Sequence, residues 1–171
     1  MDGEHSDQAP PSRAPTLRDL VRLCEALNRA GCRYLLIGGF AVNYYGLERL
    51  TNDIDLLVSS APENVARLKQ ALSILEDNAA QDIGLDDIET YTVVRVLDEI
   101  TVDLLGAAGD VRFENATAIQ VTLGEVVIPI ADLTTLIALK QGAGGKDRAD
   151  LEFLLQVKNR QRLGGDQGPD C

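Results

Sequence analysis

The stretch LIGGFAVNYYGLERLTNDIDLLV, residues 36–58, decides the fold. The apolar run RYLLI at 33–37 reads as a short buried strand that stops at Gly38-Gly39. Residues 40–45 read as a short helix, and IDLLV at 54–58 as a second strand. Glycine lets backbone N–H groups approach a phosphate closely, and a helix N-terminus favours negative charge. A Gly-Gly pair is equally at home in a tight strand–helix turn. The acids downstream of it are more informative.

Asp53-Ile54-Asp55 opens the second strand. Residues i and i+2 of a strand point to one face roughly 6.6–6.8 Å apart, so both carboxylates project together while Ile54 points into the core. Two like charges there repel by roughly 3 kcal/mol at an effective dielectric of about 20 and ~5 Å separation. A divalent cation reverses that sign, and Mg²⁺ prefers a few carboxylates plus substrate phosphates. The competing reading is a solvated strand end. A third acid, Asp103, is the single charge in the apolar segment ITVDLL at 100–105. It is either an edge-strand guard against aggregation or a group that needs a cationic partner. Two acids on one strand and one on a neighbour can clamp two metal ions ~3.5–4 Å apart.

Outward from this centre, the chain alternates strands, hairpins and helices. Thr16 with Asp19 forms a capping box, and Leu17, Leu20, Val21, Cys24 and Leu27 form an apolar helical stripe. Pro62 starts another helix, with Val65, Leu68, Leu72 and Leu75 as its stripe. Residues 91–97 and 100–105 read as an antiparallel pair joined at Asp98-Glu99, and two further strands fall near 118–123 and 126–130. Asp132 caps a helix running to about Lys140, and the last helix spans 146–162. This pattern predicts an α/β (α+β) fold with a twisted mixed sheet flanked by helices. One domain is expected at 16–163, with flexible tails at 1–15 and 164–171.

Composition narrows the chemistry. The chain has 171 residues, 16 Lys+Arg against 27 Asp+Glu, and a net charge of −11. Hydrophobic residues at 45% exclude global disorder. His5 is the only histidine, and Cys24, Cys32 and Cys171 have no ligand spacing, so a zinc site, a disulfide scaffold and a histidine triad are all excluded as expectations. Carboxylates and a hard metal remain as the tools. No run approaches the ~18–20 apolar residues that cross a bilayer, and the N-terminus lacks an apolar signal stretch, so a cytoplasmic protein is expected. Charge is uneven: residues 81–103 hold seven acids against Arg95, a local −6, and 140–163 hold six basic and three acidic residues, a local +3. Tight binding of a nucleic-acid duplex is not expected of so acidic a chain, and the acidic stretch reads as a solvated loop rather than as a docking surface for a basic partner.

The ordered combination of Gly38-Gly39, 13 intervening residues, Asp53-x-Asp55 and a later Asp103 resembles the signature of the DNA polymerase β-type nucleotidyltransferase superfamily. It is closest to the small stand-alone branch that includes nucleotidyltransferase toxins of toxin–antitoxin systems. The resemblance covers roughly residues 33–155. It implies a minimal nucleotidyltransferase fold in which Asp53 and Asp55 bind two Mg²⁺, Asp103 completes the site and acts as base, and Gly38, Gly39, Arg49, Thr51 and Lys140 bind the NTP. A nucleoside monophosphate would move to an acceptor hydroxyl with release of pyrophosphate. The acceptor is open between a tRNA 3′ end, a protein hydroxyl and a small molecule, and the branch implies an antitoxin protein as partner. The alternative is a catalytically silent relative serving as a binding module.

Lys140…Lys146-Asp147…Asp150 echoes the same branch. Lys140 shares a helical face with Leu133, Leu136 and Ile137, so it either snorkels to the surface or meets a phosphate. Asp147 is assigned to a cap or to holding Lys140.

Overall fold

A computed structural model describes residues 12–142 and 148–166. Thr16 caps the first helix, α1 (Leu17–Arg29), through the reciprocal box with Asp19. The buried stripe is Leu20, Leu23, Cys24 and Leu27; Leu17, in the first turn, is instead 56% exposed. Strand β1 (Tyr34–Ile37) runs into α2 (Gly38–Tyr44) and then, after a loop, into β2 (Asp53–Val58). Pro62 stands at the first position of α3 (Pro62–Leu72), whose residues Val65, Leu68 and Leu72 are buried as the stripe predicts. A 3₁₀ turn (Ala79–Asp82) and α4 (Asp87–Thr90) precede β3 (Val94–Leu97) and β4 (Thr101–Leu105). A small ribbon of β5 (Ala107–Ala108) and β6 (Val111–Arg112) follows. Then come β7 (Ala118–Leu123), β8 (Val126–Ala131), α5 (Leu133–Gly142) and α6 (Arg148–Asp166).

The six main strands form one sheet in the order β3-β4-β2-β1-β8-β7. Pairs β1·β2, β3·β4 and β7·β8 are antiparallel, whereas β2·β4 and β1·β8 are parallel, so the expected mixed sheet is present. At its centre β1 is buried along its whole length, Tyr34 through Ile37. Ile54, Leu56, Val102 and Leu104 alternate with the acids of β2 and β4, are at most 1% exposed, and point to the opposite face. Among the described residues no helix is long and apolar enough to cross a membrane.

Several local expectations shift. The strand expected from 91 begins at Val94, because Tyr91 closes the turn of α4 through its N–H to the Asp87 carbonyl. The acidic stretch is not a simple solvated loop. Asp98 is buried and its carboxylate accepts N–H bonds from Asp77, Ala79 and Glu99, which holds its pKa below the ordinary value despite the burial. Residues 12–15, on the tail side of the expected boundary, lie against this hairpin: Ser12 Oγ donates to the Asp98 carbonyl and the Arg13 N–H to that of Glu99. At the other end α6 runs through Gly164 to Asp166. Lys146 and Asp147 lie outside the described residues.

Asn64, at 1% exposure, ties the strand ends to α3. Its Oδ1 accepts the Arg33 N–H at 2.8 Å, and its Nδ2 donates to the carbonyls of Arg33 and Ser59 at 3.2 and 2.9 Å. Truncation would leave backbone groups unsatisfied in a buried setting. Asn64→Ala is therefore expected to lower unfolding free energy by about 2–3 kcal/mol in a urea titration, with the m-value unchanged.

Candidate active site

The register of the sheet assembles the site. Asp55 on β2 faces Asp103 on β4, Asp103 faces Arg95 on β3, and Asp55 faces Ile37 at the end of β1. Asp53 lies two residues before Asp55 and shares its face. One oxygen from each of Asp53, Asp55 and Asp103 falls within 4.8 Å of the other two. The three acids singled out in the sequence thus converge. Strand β4 is flanked by β3 and β2, so Asp103 is not on an edge and the guard reading does not apply.

Their electrostatics follow from this crowding. Burial first, and then the charges on Asp53 and Asp103, push Asp55 up to about 8. Burial and the Asp103 charge also raise Asp53. Arg95, which the sequence reading did not place in the site, supplies the balancing charge. Its guanidinium donates from Nε and Nη2 to the two oxygens of Asp103 at 2.8 and 2.9 Å, and Nη2 lies 3.5 Å from Asp53. The hydrogen bonds to Asp103 hold Arg95 charged above its ordinary range.

The glycine turn meets the acids directly. Gly38 has φ +73°, a conformation that L side chains rarely adopt, and a Cβ there would overlap the Asp55 carboxylate. A Cβ on Gly39 would lie 3.1 Å from Cβ of Thr51 and closer still to its methyl group. The loop between α2 and β2 is therefore folded back onto Gly39, with Arg49 Nη2 3.5 Å from that same position. Asp55, Asp103, Gly38 and Lys140 line a cleft of about 400 Å³ together with the apolar side chains of Leu136 and Leu139. A wider groove of about 820 Å³ passes Tyr44, Asp132 and Lys158 but holds no acid cluster.

Lys140 does not snorkel. Its side chain is 11% exposed, and Nζ sits 3.1 Å from Asp150 Oδ2, while Arg49 Nη1 reaches the same oxygen at 2.5 Å. All eight residues named from the sequence thus gather in one region, the acids on the sheet, Arg49 and Thr51 beside the glycine turn and Lys140 on α5. A cluster of three carboxylates without nitrogen or sulfur donors can hold a hard metal ion.

Residues 20–159 match the family described as nucleotidyl transferase AbiEii toxin, type IV toxin–antitoxin system. The chain belongs to the AbiEii nucleotidyltransferase toxin family. Among curated proteins none matches the sequence. Solved structures share the fold, among them two crystal structures. A candidate nucleotidyltransferase from Thermotoga maritima aligns over 84% of this chain and 92% of its own, with a TM-score of 0.55 and 16% identity. An antigenic nucleotidyltransferase-like protein from Paracoccidioides brasiliensis aligns over 86% and 79%, with a TM-score of 0.54 and 14% identity. The chain is accordingly a nucleotidyltransferase with the mixed-sheet fold expected of it.

The raised pKa of Asp55 has a stability consequence. Between the unfolded carboxylate value near 4 and about 8, the folded chain holds a proton that the unfolded chain has released. Stability from this group therefore falls as pH rises through that window. Asp55→Asn removes the effect: the variant's melting temperature should exceed that of the metal-free wild type by a margin that is small at pH 5 and largest above pH 8. A margin independent of pH would contradict the crowding.

Proposed function

We propose that this chain moves a nucleoside monophosphate from an NTP to an acceptor hydroxyl, releasing pyrophosphate, at Asp53, Asp55 and Asp103. The convergence of these three carboxylates beside Gly38 carries the reading. The donor set fits Mg²⁺, with Asp53 and Asp55 as ligands to two ions and Asp103 completing the set. When bound, these ions would neutralise the triphosphate and lower the pKa of the attacking hydroxyl.

The chain's own groups do the rest. Gly38 and Gly39, with no side chain in the way, let the polyphosphate approach the backbone. Arg49, Lys140 and the Thr51 hydroxyl bind its oxygens. Arg95 keeps the acids paired in the resting protein and must release Asp103 before both of its oxygens can serve. Once released, Asp103 accepts the proton of the acceptor hydroxyl. Leu136 and Leu139 give the cleft an apolar wall. Catalysis of this kind rests on positioning and electrostatics rather than on a covalent intermediate.

For the acceptor, an RNA end such as the 3′ end of tRNA suits the local +3 of residues 140–163, although the chain as a whole is strongly acidic. Family membership supports a toxin role, opposed in the cell by an antitoxin protein. The test is incubation of the protein and Mg²⁺ with each α-³²P-labelled NTP and fractionated cell extract. Label is expected in the RNA fraction, with a loss of at least about 1,000-fold for Asp55→Asn, the scale of removing a main electrostatic contribution. Label in protein or small-molecule fractions would redirect the acceptor. Transfer that survives Asp55→Asn or the absence of Mg²⁺ would remove the acids from the chemistry.

A further inference from the structure

Asp150, with a side chain only 3% exposed, is buried deeply enough to need a cationic partner, and it has two. Both reach the same oxygen, Oδ2: Arg49 Nη1 from the loop between α2 and β2 at 2.5 Å, and Lys140 Nζ from α5 at 3.1 Å. Asp150 itself belongs to the first turn of α6. One carboxylate oxygen thus joins three segments, two of them far from the third in the chain. The two cations differ in what else they approach. Lys140 lines the cleft with Gly38, Asp55 and Asp103. Arg49, 39% exposed, keeps its Nη2 beside the bare side of Gly39.

Two cations on one carboxylate have a fixed separation. Without the anion they would repel one another, and Arg49 could leave the turn for solvent. A buried ion pair of this sort adds little stability beyond hydrophobic packing, but it defines a geometry. We propose that Asp150 is a positioning residue that holds Arg49 and Lys140 as a preset pair of phosphate contacts beside the Gly38-Gly39 turn. The proposal rests on the nucleotidyl-transfer reading and deepens it: Asp150 never touches the nucleotide, yet it determines where the polyphosphate lies.

Charge alone predicts the opposite result from positioning, which makes the proposal testable. Deleting a negative charge next to a polyanion site should strengthen polyanion binding if attraction were all that mattered. If Asp150 positions the pair, Asp150→Asn should weaken it. The probe is inorganic tripolyphosphate with Mg²⁺, titrated calorimetrically into the full chain, so that neither base identity nor acceptor enters. Arg49→Gln and Asp150→Asn are each expected to weaken binding by about 10-fold or more, the scale of one charge-assisted hydrogen bond. Because both act through the same contact, the double variant should lose little beyond the larger single loss, rather than the product. Melting curves run alongside, and loss of stability with unchanged affinity would reduce Asp150 to a structural tie and overturn the proposal. So would tighter binding by Asp150→Asn, or losses that multiply. If Asp150→Asn does not fold, Asp150→Glu carries the test: it keeps the charge but displaces the oxygen, and undiminished tripolyphosphate binding would again overturn positioning. A wild type that fails to bind tripolyphosphate at all would overturn the nucleotide reading itself.

Discussion

Asp53, Asp55 and Asp103 repel one another across no more than 4.8 Å, and most of the architecture around them answers that repulsion. Each like-charge pair at such a distance is worth roughly 3 kcal/mol at an effective dielectric of about 20, a serious fraction of the roughly 5–15 kcal/mol by which domains are stable. The protein's own groups relieve it in two ways. Asp55, pushed up to about 8, keeps a proton at neutral pH, and Arg95 spreads its guanidinium across Asp103. Both devices are reversible, as the proposed divalent-cation site requires. A purely structural solution would have replaced the acids.

The strands can carry this load because their other face is so apolar. Ile54, Leu56, Val102 and Leu104 are sealed on the side away from the acids, so a register slip would exchange core for charge. Burial thereby fixes the register, and the register fixes which carboxylates meet. Gly38 extends the same logic to the neighbouring strand. Its positive φ and missing Cβ let the turn after β1 close onto Asp55, and Gly39 does the same for Thr51. Around the turn, charge is again balanced locally, by Asp150 between Arg49 and Lys140.

Much of this was legible in the sequence because it depends on local periodicity. The i, i+2 spacing of Asp53 and Asp55, the lone charge of 100–105 and the glycine pair are all short-range signals. Arg95 was missed because it depends on hairpin register. A turn at Asp98-Glu99 would set Arg95 opposite Val102, on the wrong face, whereas the observed turn includes Ile100 and brings Arg95 opposite Asp103. One residue separates the two outcomes. Asp150 carried a weak signal: it precedes the buried Leu154 by one helical turn, so an acid stood on an apolar face just as Lys140 did on α5. What the sequence lacked was any mark that these two faces meet, or that Arg49 joins them. The docking of Ser12 and Arg13 onto the β3–β4 turn was likewise hidden, since a Pro-rich acidic segment has no periodicity to read.

If the three acids form one divalent-cation site guarded by Arg95, the ion itself should be visible there. Mn²⁺ is a carboxylate-seeking stand-in for Mg²⁺, and crystals grown with it would yield an anomalous-difference map. Strong anomalous density is expected among Asp53, Asp55 and Asp103, with the Arg95 guanidinium withdrawn from Asp103. Density elsewhere, or none while Arg95 keeps both hydrogen bonds to Asp103, would contradict such a site.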